Sequence, residues 1–246
     1  MGYTPGHRFR RQGGALLVNV SEWGIAVGLV VLGYVVGSVS PSVFLGKLFR
    51  GVDLRQHGSG NAGTTNAFRV LGPRLGVAVL VADILKGVVP VLVARFLAGP
   101  VVVVIVAFAC VIGHNYSLFL RGRGGKGVAT GAGAALAMMP VIGGYLFVVF
   151  VVLVFVGRIV SVASITCTIL LPVLAYVFDQ PLPYLVASCL MSAVVLWAHR
   201  KNVVRLLKRQ EPRFDYPWAK RKRQAVSETM TGEGEAGSAG GRPEVR

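Results

Sequence analysis

Six long apolar runs dominate the pattern of hydrophobic and polar positions along the chain. They lie at about residues 23–45, 75–98, 100–120, 132–156, 159–178 and 182–198. Each approaches or exceeds the roughly 20 residues that a helix needs to cross a bilayer. Because runs such as 101–109 lack the alternation of a barrel strand, we predict spanning helices. The predicted fold class is therefore all-α, a polytopic integral membrane protein.

The polar connections between the runs differ in charge. Segment 46–74, turn 121–127 and the stretch after residue 199 are rich in Lys and Arg, whereas the connections near 98–100 and 179–183 are nearly uncharged. Positive loops favour the cytoplasm, which predicts the N-terminus outside and the C-terminus inside. Six runs visible by hydropathy cannot give that arrangement. A further short or broken helix, or a re-entrant run, is expected, and we predict about seven transmembrane helices.

The two ends of the chain differ from its middle. Residues 1–20 are predicted to be an N-terminal tail, whose arginines would lie outside, against the charge rule. The apolar run that follows is too long for a signal-peptide core and is interpreted as a retained first span. Residues 21–214 form the predicted transmembrane domain. Residues 215–246, basic at first and then rich in Gly, Glu and Ser, are predicted to be a disordered cytoplasmic tail.

Composition supports lipid as the solvent. Apolar residues make up 54% of the 246 residues and charged residues only 15%. The net charge of +16 could suggest nucleic acid. The cations lie between apolar runs instead of along one polar face, so we interpret them as topology signals and contacts to anionic membrane lipids, with no nucleic-acid partner. The three cysteines lie within apolar runs and predict neither disulfide nor metal site.

The first polar motif lies in residues 54–69 and is small, glycine-rich and beside the membrane. Glycines let backbone N–H groups approach an anion, and Ser, Thr and Asn add donors without bulk. The alternative is a flexible, solvated loop. We predict a phosphate cradle followed by a cation. Its residues are Gly58, Ser59, Gly60, Asn61, Gly63, Thr65, Asn66 and Arg69.

The second motif surrounds a lysine at the expected start of a helix. Gly124, Gly125 and Gly127 flank Lys126, but no Ser or Thr follows the lysine as a P-loop requires. Backbone N–H groups and the helix N-terminus would still favour an anion. A tight basic turn explains the charge but leaves the three glycines unexplained.

Three residue pairs are weaker candidates. His199 and Asn202 share a helix face where the last apolar run ends, which also fits an interfacial polar pair. Ser164 shares a face with Ser161, although serines in spans usually bond their own backbone. Asp83 and Lys86 fall within an apolar run, and a structural ion pair is the favoured interpretation, with a supporting role for the site as the alternative. None of these three pairs belongs to a longer motif, so their roles depend on the fold.

Several kinds of enzyme lack their required residues here. No histidine is followed five positions later by an aspartate, the pattern of acyltransferases that use thioester donors. No carboxylate cluster exists to hold Mg²⁺ for phosphatidyl-alcohol transfer. We therefore expect neither a metal nor a cofactor.

The motifs together resemble those of the bacterial acyl-phosphate:glycerol-3-phosphate acyltransferases (PlsY). The matching stretches are Gly37-Ser38, Gly58–Asn66 with Arg69, Gly113-His114 with Gly124–Thr130, Ala163–Thr166 and His199–Asn202. The match covers roughly residues 24–214, so the transmembrane domain at 21–214 would be an acyltransferase domain.

The resemblance implies a multi-pass enzyme of the cell inner (plasma) membrane, with its active site facing the cytoplasm. It would join acyl phosphate to sn-glycerol 3-phosphate, giving 1-acylglycerol 3-phosphate (lysophosphatidic acid) and phosphate. Contact with the enzyme that forms acyl phosphate is a possible partnership. The family's site residues fall on Ser59, Arg69, Lys126, Ser164, His199 and Asn202. Of these, Ser59, Lys126, His199 and Asn202 are expected to be catalytic, whereas Arg69 and Ser164 are expected to bind substrate.

Two other classes stay open on the residues alone. A transporter or channel for phosphate or organic anions would also use cations and glycine-rich helix ends near the membrane. A structural scaffold is the second alternative, although it leaves the clustered polar motifs without a purpose.

Overall fold

The structure is a computed structural model that describes residues 20–214. Ten α-helices and one 3-10 helix make up this part of the chain, with no strand in it. They are α1 Val20–Ser38, α2 Pro41–Arg50, the 3-10 helix Leu54–Gln56, α3 Thr64–Leu71, α4 Pro73–Leu97, α5 Pro100–Asn115, α6 Val128–Met138, α7 Pro140–Gly157, α8 Val160–Val177, α9 Leu182–Ala198 and α10 Arg200–Leu207. The predictions for the N-terminal and C-terminal tails fall outside the described residues.

Prolines set many of the helix boundaries. Pro41, Pro73, Pro100 and Pro140 each stand in the first turn of a helix. Proline disfavours helical backbone in the residue before it, and its missing N–H is not needed at a helix start. An apolar run that contains such a proline therefore breaks into two helices.

This effect corrects the reading of two apolar runs as single helices. The run at 132–156 is divided at Met139 into α6 and α7, and the run at 23–45 is divided between α1 and α2. Hydropathy averaging misses the break at Met139 because the residues around it are apolar, and it misses the break before Pro41 because the serine-rich stretch 38–42 is short. The chain thus contains more helices than apolar runs, and whether one of the short helices is the additional span stays a prediction.

Not every apolar helix is long enough to span a membrane unaided. Within the described residues, four stretches pass tests of length and apolarity, and a fifth does so if α9 and α10, bent by 58°, form one span. The four are Glu22–Arg50, Pro73–Leu97, Pro140–Gly157 and Val160–Val177. Helices α5 and α6 are apolar but shorter. The all-α prediction is confirmed, and the number of spans stays a prediction.

Lipid is the natural neighbour of the outer helix faces. Helix α7 has large apolar side chains on its surface, and only two of its residues, Ile142 and Gly143, are buried. Its exposed side chains include Val148, Val152, Phe155 and Val156. Such a continuous apolar surface is unstable in water and stable in a bilayer.

The core is held by close contacts between helix backbones. A side chain at Gly37 of α1 would overlap the carbonyl of Cys110 in α5, and one at Gly113 would overlap the carbonyl of Tyr34. Helices α4 and α6 approach as closely, since Gly133 faces the carbonyl of Ile84. Small residues at helix crossings are the usual means of packing in membranes, where no hydrophobic effect drives helices together. These crossings fix the helix ends that carry the candidate site.

Candidate active site

One cavity of about 340 Å³ collects most of the polar motifs. Three chain segments line it: residues 59–61, residues 115–126 and the junction of α9 with α10. Its volume falls in the range of small-molecule sites. The lining residues are Ser59, Gly60, Asn61, Asn115, Tyr116, Gly125, Lys126, Val194, Trp197, Ala198, Arg200, Lys201, Asn202 and Arg205.

The loop that presents Ser59 is held by one buried side chain. The amide oxygen of Asn66 accepts from the backbone N–H of Ser59 at 2.9 Å. Its amide nitrogen donates to the carbonyls of Leu54 and His57 at 3.1 and 3.0 Å. Gly58, at φ +62°, has no room for a side chain against the Asn66 amide. The loop is therefore held in one conformation, and its role as a phosphate cradle stays a prediction.

The segment that carries Lys126 folds onto the end of α5. Gly124 and Gly125 donate their N–H groups to the carbonyls of Asn115 and His114 at 3.1 and 3.0 Å. A side chain on Gly125 would overlap the His114 imidazole. The glycines are needed because two backbone stretches lie in contact here. Gly127, in the left-handed conformation at φ +78°, then starts α6.

The bend between α9 and α10 places Asn202 in the cavity. His199 stands at the bend, only 2% exposed, and its carbonyl accepts from the N–H of Asn202 at 2.8 Å. The His199 Nδ1 lies 2.8 Å from the carbonyl oxygen of Val195. Because a carbonyl only accepts, Nδ1 carries the proton and Nε2 is left as the acceptor of a neutral ring. His199 itself does not line the cavity.

A chain of polar contacts joins the lysine to a carboxylate. The Lys126 ammonium donates to the amide oxygen of Asn202. The Asn202 amide nitrogen donates to Glu211 at 2.6 Å, and the Arg205 Nε donates to the other Glu211 oxygen at 2.7 Å. Asn202 is the only one of these groups that can both accept and donate, so it links a cation to an anion.

Burial makes Lys126 easier to deprotonate than a free lysine. Burial is the largest cause that lowers the pKa of Lys126 to about 8, and the charges of Arg205 and Arg69 lower it further. The charge of Glu211 acts in the opposite sense. Burial would raise the pKa of the Glu211 carboxyl, but hydrogen bonds led by that from Arg205 hold it below its ordinary value. The site is therefore cationic at neutral pH.

A buried ion pair lies behind the cavity. Asp83 is 1% exposed, and its Oδ1 lies 2.9 Å from the Lys86 ammonium. Its Oδ2 accepts from the Thr64 hydroxyl at 3.0 Å, and its Oδ1 lies 3.6 Å from the His114 Nδ1. Lys86 in turn donates to the carbonyl of Val39 at 2.6 Å. Asp83 and Lys86 together thus connect the start of α3, the end of α5 that supports the glycines, and the corner after α1.

Comparison with known proteins decides the family. The family model described as glycerol-3-phosphate acyltransferase matches residues 27–209. The chain belongs to this family. A glycerol-3-phosphate acyltransferase from Rubrobacter xylanophilus is 44% identical over 191 residues, which cover 77% of this chain and 96% of the relative. One from Fusobacterium nucleatum is 40% identical, covering 76% and 97%.

Solved structures extend the likeness to three dimensions. The crystal structure of PlsY, an integral membrane glycerol 3-phosphate acyltransferase, in its glycerol 3-phosphate form has a TM-score of 0.76 at 39% identity. It covers 78% of this chain and 96% of that one. The lysophosphatidic acid form gives a TM-score of 0.74 at 38% identity. The resemblance drawn from the motifs is confirmed, and this acyltransferase is a membrane-embedded enzyme.

The structure gathers some of the predicted site residues of this acyltransferase and leaves others outside. The cavity is lined by Ser59, Gly60, Asn61, Gly125, Lys126 and Asn202. The other predicted residues are absent from its wall: Gly58, Gly63, Gly124 and Gly127 lie in the adjoining loops, and Thr65 and Asn66 lie in the first turn of α3. Ser164 is buried in α8 and donates to the carbonyl of Val160 at 2.9 Å. The Arg69 guanidinium contacts the carbonyl of Pro212 at 3.4 Å. The roles assigned to all these residues stay predictions.

Other lining residues of the acyltransferase were missed by sequence reasoning. Arg205 and Lys201 had been counted only as topology signals, and Trp197 and Tyr116 were not singled out. Glu211 had no motif around it. Asn202 and Arg205 lie three residues apart, a spacing that puts two side chains on the same face of a helix. This spacing is the one feature of the sequence that links Arg205 to Asn202.

Proposed function

We propose that this acyltransferase takes its acyl group from acyl phosphate and gives it to sn-glycerol 3-phosphate. The products are 1-acylglycerol 3-phosphate (lysophosphatidic acid) and phosphate. The observation that carries the proposal is the convergence of Lys126, Asn202 and the Ser59 loop on one cationic cavity. Both substrates are phosphate esters or anhydrides, so cations and backbone N–H groups suit both of them.

The reaction needs no covalent protein intermediate. The hydroxyl oxygen of glycerol 3-phosphate attacks the acyl carbonyl carbon, an ester bond forms, and the bond from that carbon to the phosphate oxygen breaks. Phosphate is already a good leaving group. Lys126 and Arg205 neutralise the phosphates, and donors of the Ser59 loop stabilise the oxyanion. Asn202 orients the Lys126 ammonium, because its own orientation is fixed by Glu211.

A substrate phosphate is the favoured acceptor of the hydroxyl proton. Among residues 20–214, the cavity wall contains no carboxylate, and Glu211 is held by Asn202 and Arg205. His199 is the other candidate of the sequence, but its burial and its absence from the wall favour a positioning role at the bend that carries Asn202. The proton of the attacking hydroxyl then leaves on phosphate, which balances the reaction.

The acyl chain has an apolar exit from the cavity. Val194 and Trp197 line the cavity, and 64% of the surface of Trp197 is exposed outside the helix bundle. An acyl tail beside these residues would remain in the lipid while its phosphate lies in the cavity. We propose that this end faces the cytoplasm at the plasma membrane, with the N-terminus outside and about seven spans, because positively charged loops favour the cytoplasmic side. A cysteine placed in the 59–61 loop should react with an impermeant maleimide only in inside-out vesicles.

The decisive assay measures product from defined donors. The purified protein in detergent receives labelled glycerol 3-phosphate with palmitoyl phosphate or with palmitoyl-CoA. Labelled lysophosphatidic acid is expected from palmitoyl phosphate alone. Lys126→Ala should reduce the rate at least ~100-fold, about 3 kcal/mol of transition-state stabilisation. Lys208→Ala, an exposed lysine outside the cavity wall, is the matched control and should keep the wild-type rate.

Two results would refute the proposal. One is transfer from palmitoyl-CoA at a rate equal to that from palmitoyl phosphate. The other is a Lys126→Ala variant with the wild-type rate. Flux of phosphate across sealed vesicles without any acylated product would instead identify a transporter.

A further inference from the structure

A second cavity, of about 460 Å³, lies beside the candidate active site. It is lined by Arg55, Phe119, Leu120, Arg121 and Arg123, and we name it the arginine cavity. It is built from the same two chain segments as the active site, since segments 54–61 and 115–126 contribute to both, but the two cavities share no lining residue. Nothing in acyl transfer uses it.

The charge of the arginine cavity is only partly compensated. Arg55 binds the Asp53 carboxylate through two contacts, at 3.0 and 2.6 Å, and Lys47 lies 3.5 Å from the same carboxylate. The guanidinium groups of Arg121 and Arg123 have no hydrogen bond or ion pair with any residue in the described range 20–214. Two uncompensated guanidinium groups at one cavity favour an anionic ligand.

The loop that carries these arginines is fixed in place. Leu120 is buried and packs with Val43 and Ala62. Arg121 adopts the left-handed conformation at φ 51°, where glycine is normally favoured, and Gly122 follows at φ 75°. Backbone bonds close the turn, with the Gly122 N–H donating to the Ser117 carbonyl at 2.9 Å. The backbone that carries both guanidinium groups is therefore preorganised, which lowers the entropic cost of ordering the loop on binding.

Apolar side chains surround the same loop. Leu118 and Phe119 are each 58% exposed. The neighbouring helix α2, joined to the loop through Val43, exposes Phe44 and Leu48 at 63% and 60%. Large apolar groups next to guanidinium groups are typical of surfaces that lie at the boundary between lipid headgroups and acyl chains. A soluble acidic partner would leave these side chains in water.

We propose that the arginine cavity binds the phosphate group of an anionic phospholipid. Arg121 and Arg123 hold the phosphate oxygens, and Leu118 and Phe119 lie among the upper acyl-chain carbons. The occupied cavity would brace the segment that continues into Lys126. The proposal stands independently of the acyl donor, because it concerns a surface separate from the catalytic cavity.

Lipid binding to the full-length protein tests this directly. The protein in detergent is titrated with dioleoyl-phosphatidylglycerol or dioleoyl-phosphatidylcholine, and bound lipid is counted by native mass spectrometry. We expect one phosphatidylglycerol to bind at least tenfold more tightly than phosphatidylcholine. The double variant Arg121→Gln/Arg123→Gln should lose this preference. Arg74→Gln/Arg209→Gln removes the same charge from exposed positions elsewhere and should keep it.

Further variants and a competition experiment distinguish lipid binding from loss of folding and from nonspecific binding of an anion. The double variant should unfold at the wild-type temperature, and Arg121→Lys/Arg123→Lys, which keeps the charge but loses bidentate geometry, should bind with intermediate affinity. Inorganic phosphate at tenfold excess should leave the phosphatidylglycerol bound. Unchanged lipid preference in the folded glutamine variant, or displacement of the lipid by inorganic phosphate, would overturn the proposal.

Discussion

Replacing Asn66 by Ala tests whether the glycine-rich loop works as a fixed cradle. Asn66 is 1% exposed and makes three hydrogen bonds to the loop. A net hydrogen bond contributes about 1 kcal/mol, so the substitution should cost the loop ~3 kcal/mol. That loss corresponds to roughly 100-fold in kcat/KM if the ordered loop is needed in the transition state. The variant Asn66→Asp keeps an acceptor for Ser59 but sets a carboxylate against two carbonyls, and should lose at least as much.

The assay measures initial rates of lysophosphatidic acid formation together with thermal unfolding in detergent. The fall in kcat/KM should exceed what any fall in unfolding temperature explains, because the helices around the loop are unchanged. Amide hydrogen exchange at Ser59 should accelerate, since its N–H loses its acceptor. Gln180→Ala is the matched control. It also removes a side-chain amide that donates to a backbone carbonyl, at 3.1 Å. Gln180 precedes the N-terminal end of α9, whereas the cavity lies at the C-terminal end of that helix.

Two results would refute the proposed role of Asn66. If Asn66→Ala keeps the wild-type kcat/KM while Ser59 exchanges faster, an ordered loop is not required for transfer. If exchange at Ser59 is unchanged, the hydrogen bonds of Asn66 do not hold the loop.

Three further predictions concern the surroundings of the cavity. Asp83→Asn leaves Lys86 as a buried cation without its pair, so the free energy of unfolding should fall by about 3–5 kcal/mol; an unchanged unfolding temperature in detergent would contradict this. Because burial lowers the pKa of Lys126 to about 8, kcat/KM should fall as the pH rises through that value and the ammonium loses its proton. Glu211→Gln removes a charge that raises this pKa, so the alkaline limb should move to lower pH; a shift to higher pH would refute the assignment. Gly125→Ala places a methyl group on the buried imidazole beside it, and KM for glycerol 3-phosphate should rise more than tenfold (~1.4 kcal/mol); an unaltered KM would argue against the close packing.

The sequence was sufficient for the fold class and for the location of the polar loops. An apolar chain with few carboxylates makes small polar clusters conspicuous, so segments 58–66 and 124–127 could be singled out from the sequence, and residues of both line the cavity. That these loops bind anions stays a prediction. The spacing of His199 and Asn202 predicts a shared helix face, but His199 lies at the break between α9 and α10, and only Asn202 lines the cavity. Local pattern located these residues and did not reveal the bend.

Long-range contacts could not be predicted in the same way. In the sequence, Glu211 is one acid in a polar stretch without a motif. In the structure, the chain after α10 turns back, and Glu211 accepts hydrogen bonds from Asn202 and Arg205. Arg69 lies in the right motif, but the direction of its guanidinium depends on Pro212, 143 residues away. The break at Met139 was hidden because both flanking helices are apolar. For Glu211 and Arg69, the contacting residues are not apparent from a local motif. At Met139, the residues on both sides of the break have similar hydropathy.

The central claim is that both phosphorylated substrates occupy one cavity and react directly. Initial rates over a matrix of palmitoyl phosphate and glycerol 3-phosphate concentrations test it. Double-reciprocal lines that intersect indicate a complex of the enzyme with both substrates, and this is the predicted result. Parallel lines would indicate an acyl-enzyme, for which Ser59 supplies an aliphatic hydroxyl in the cavity wall, and would contradict the account.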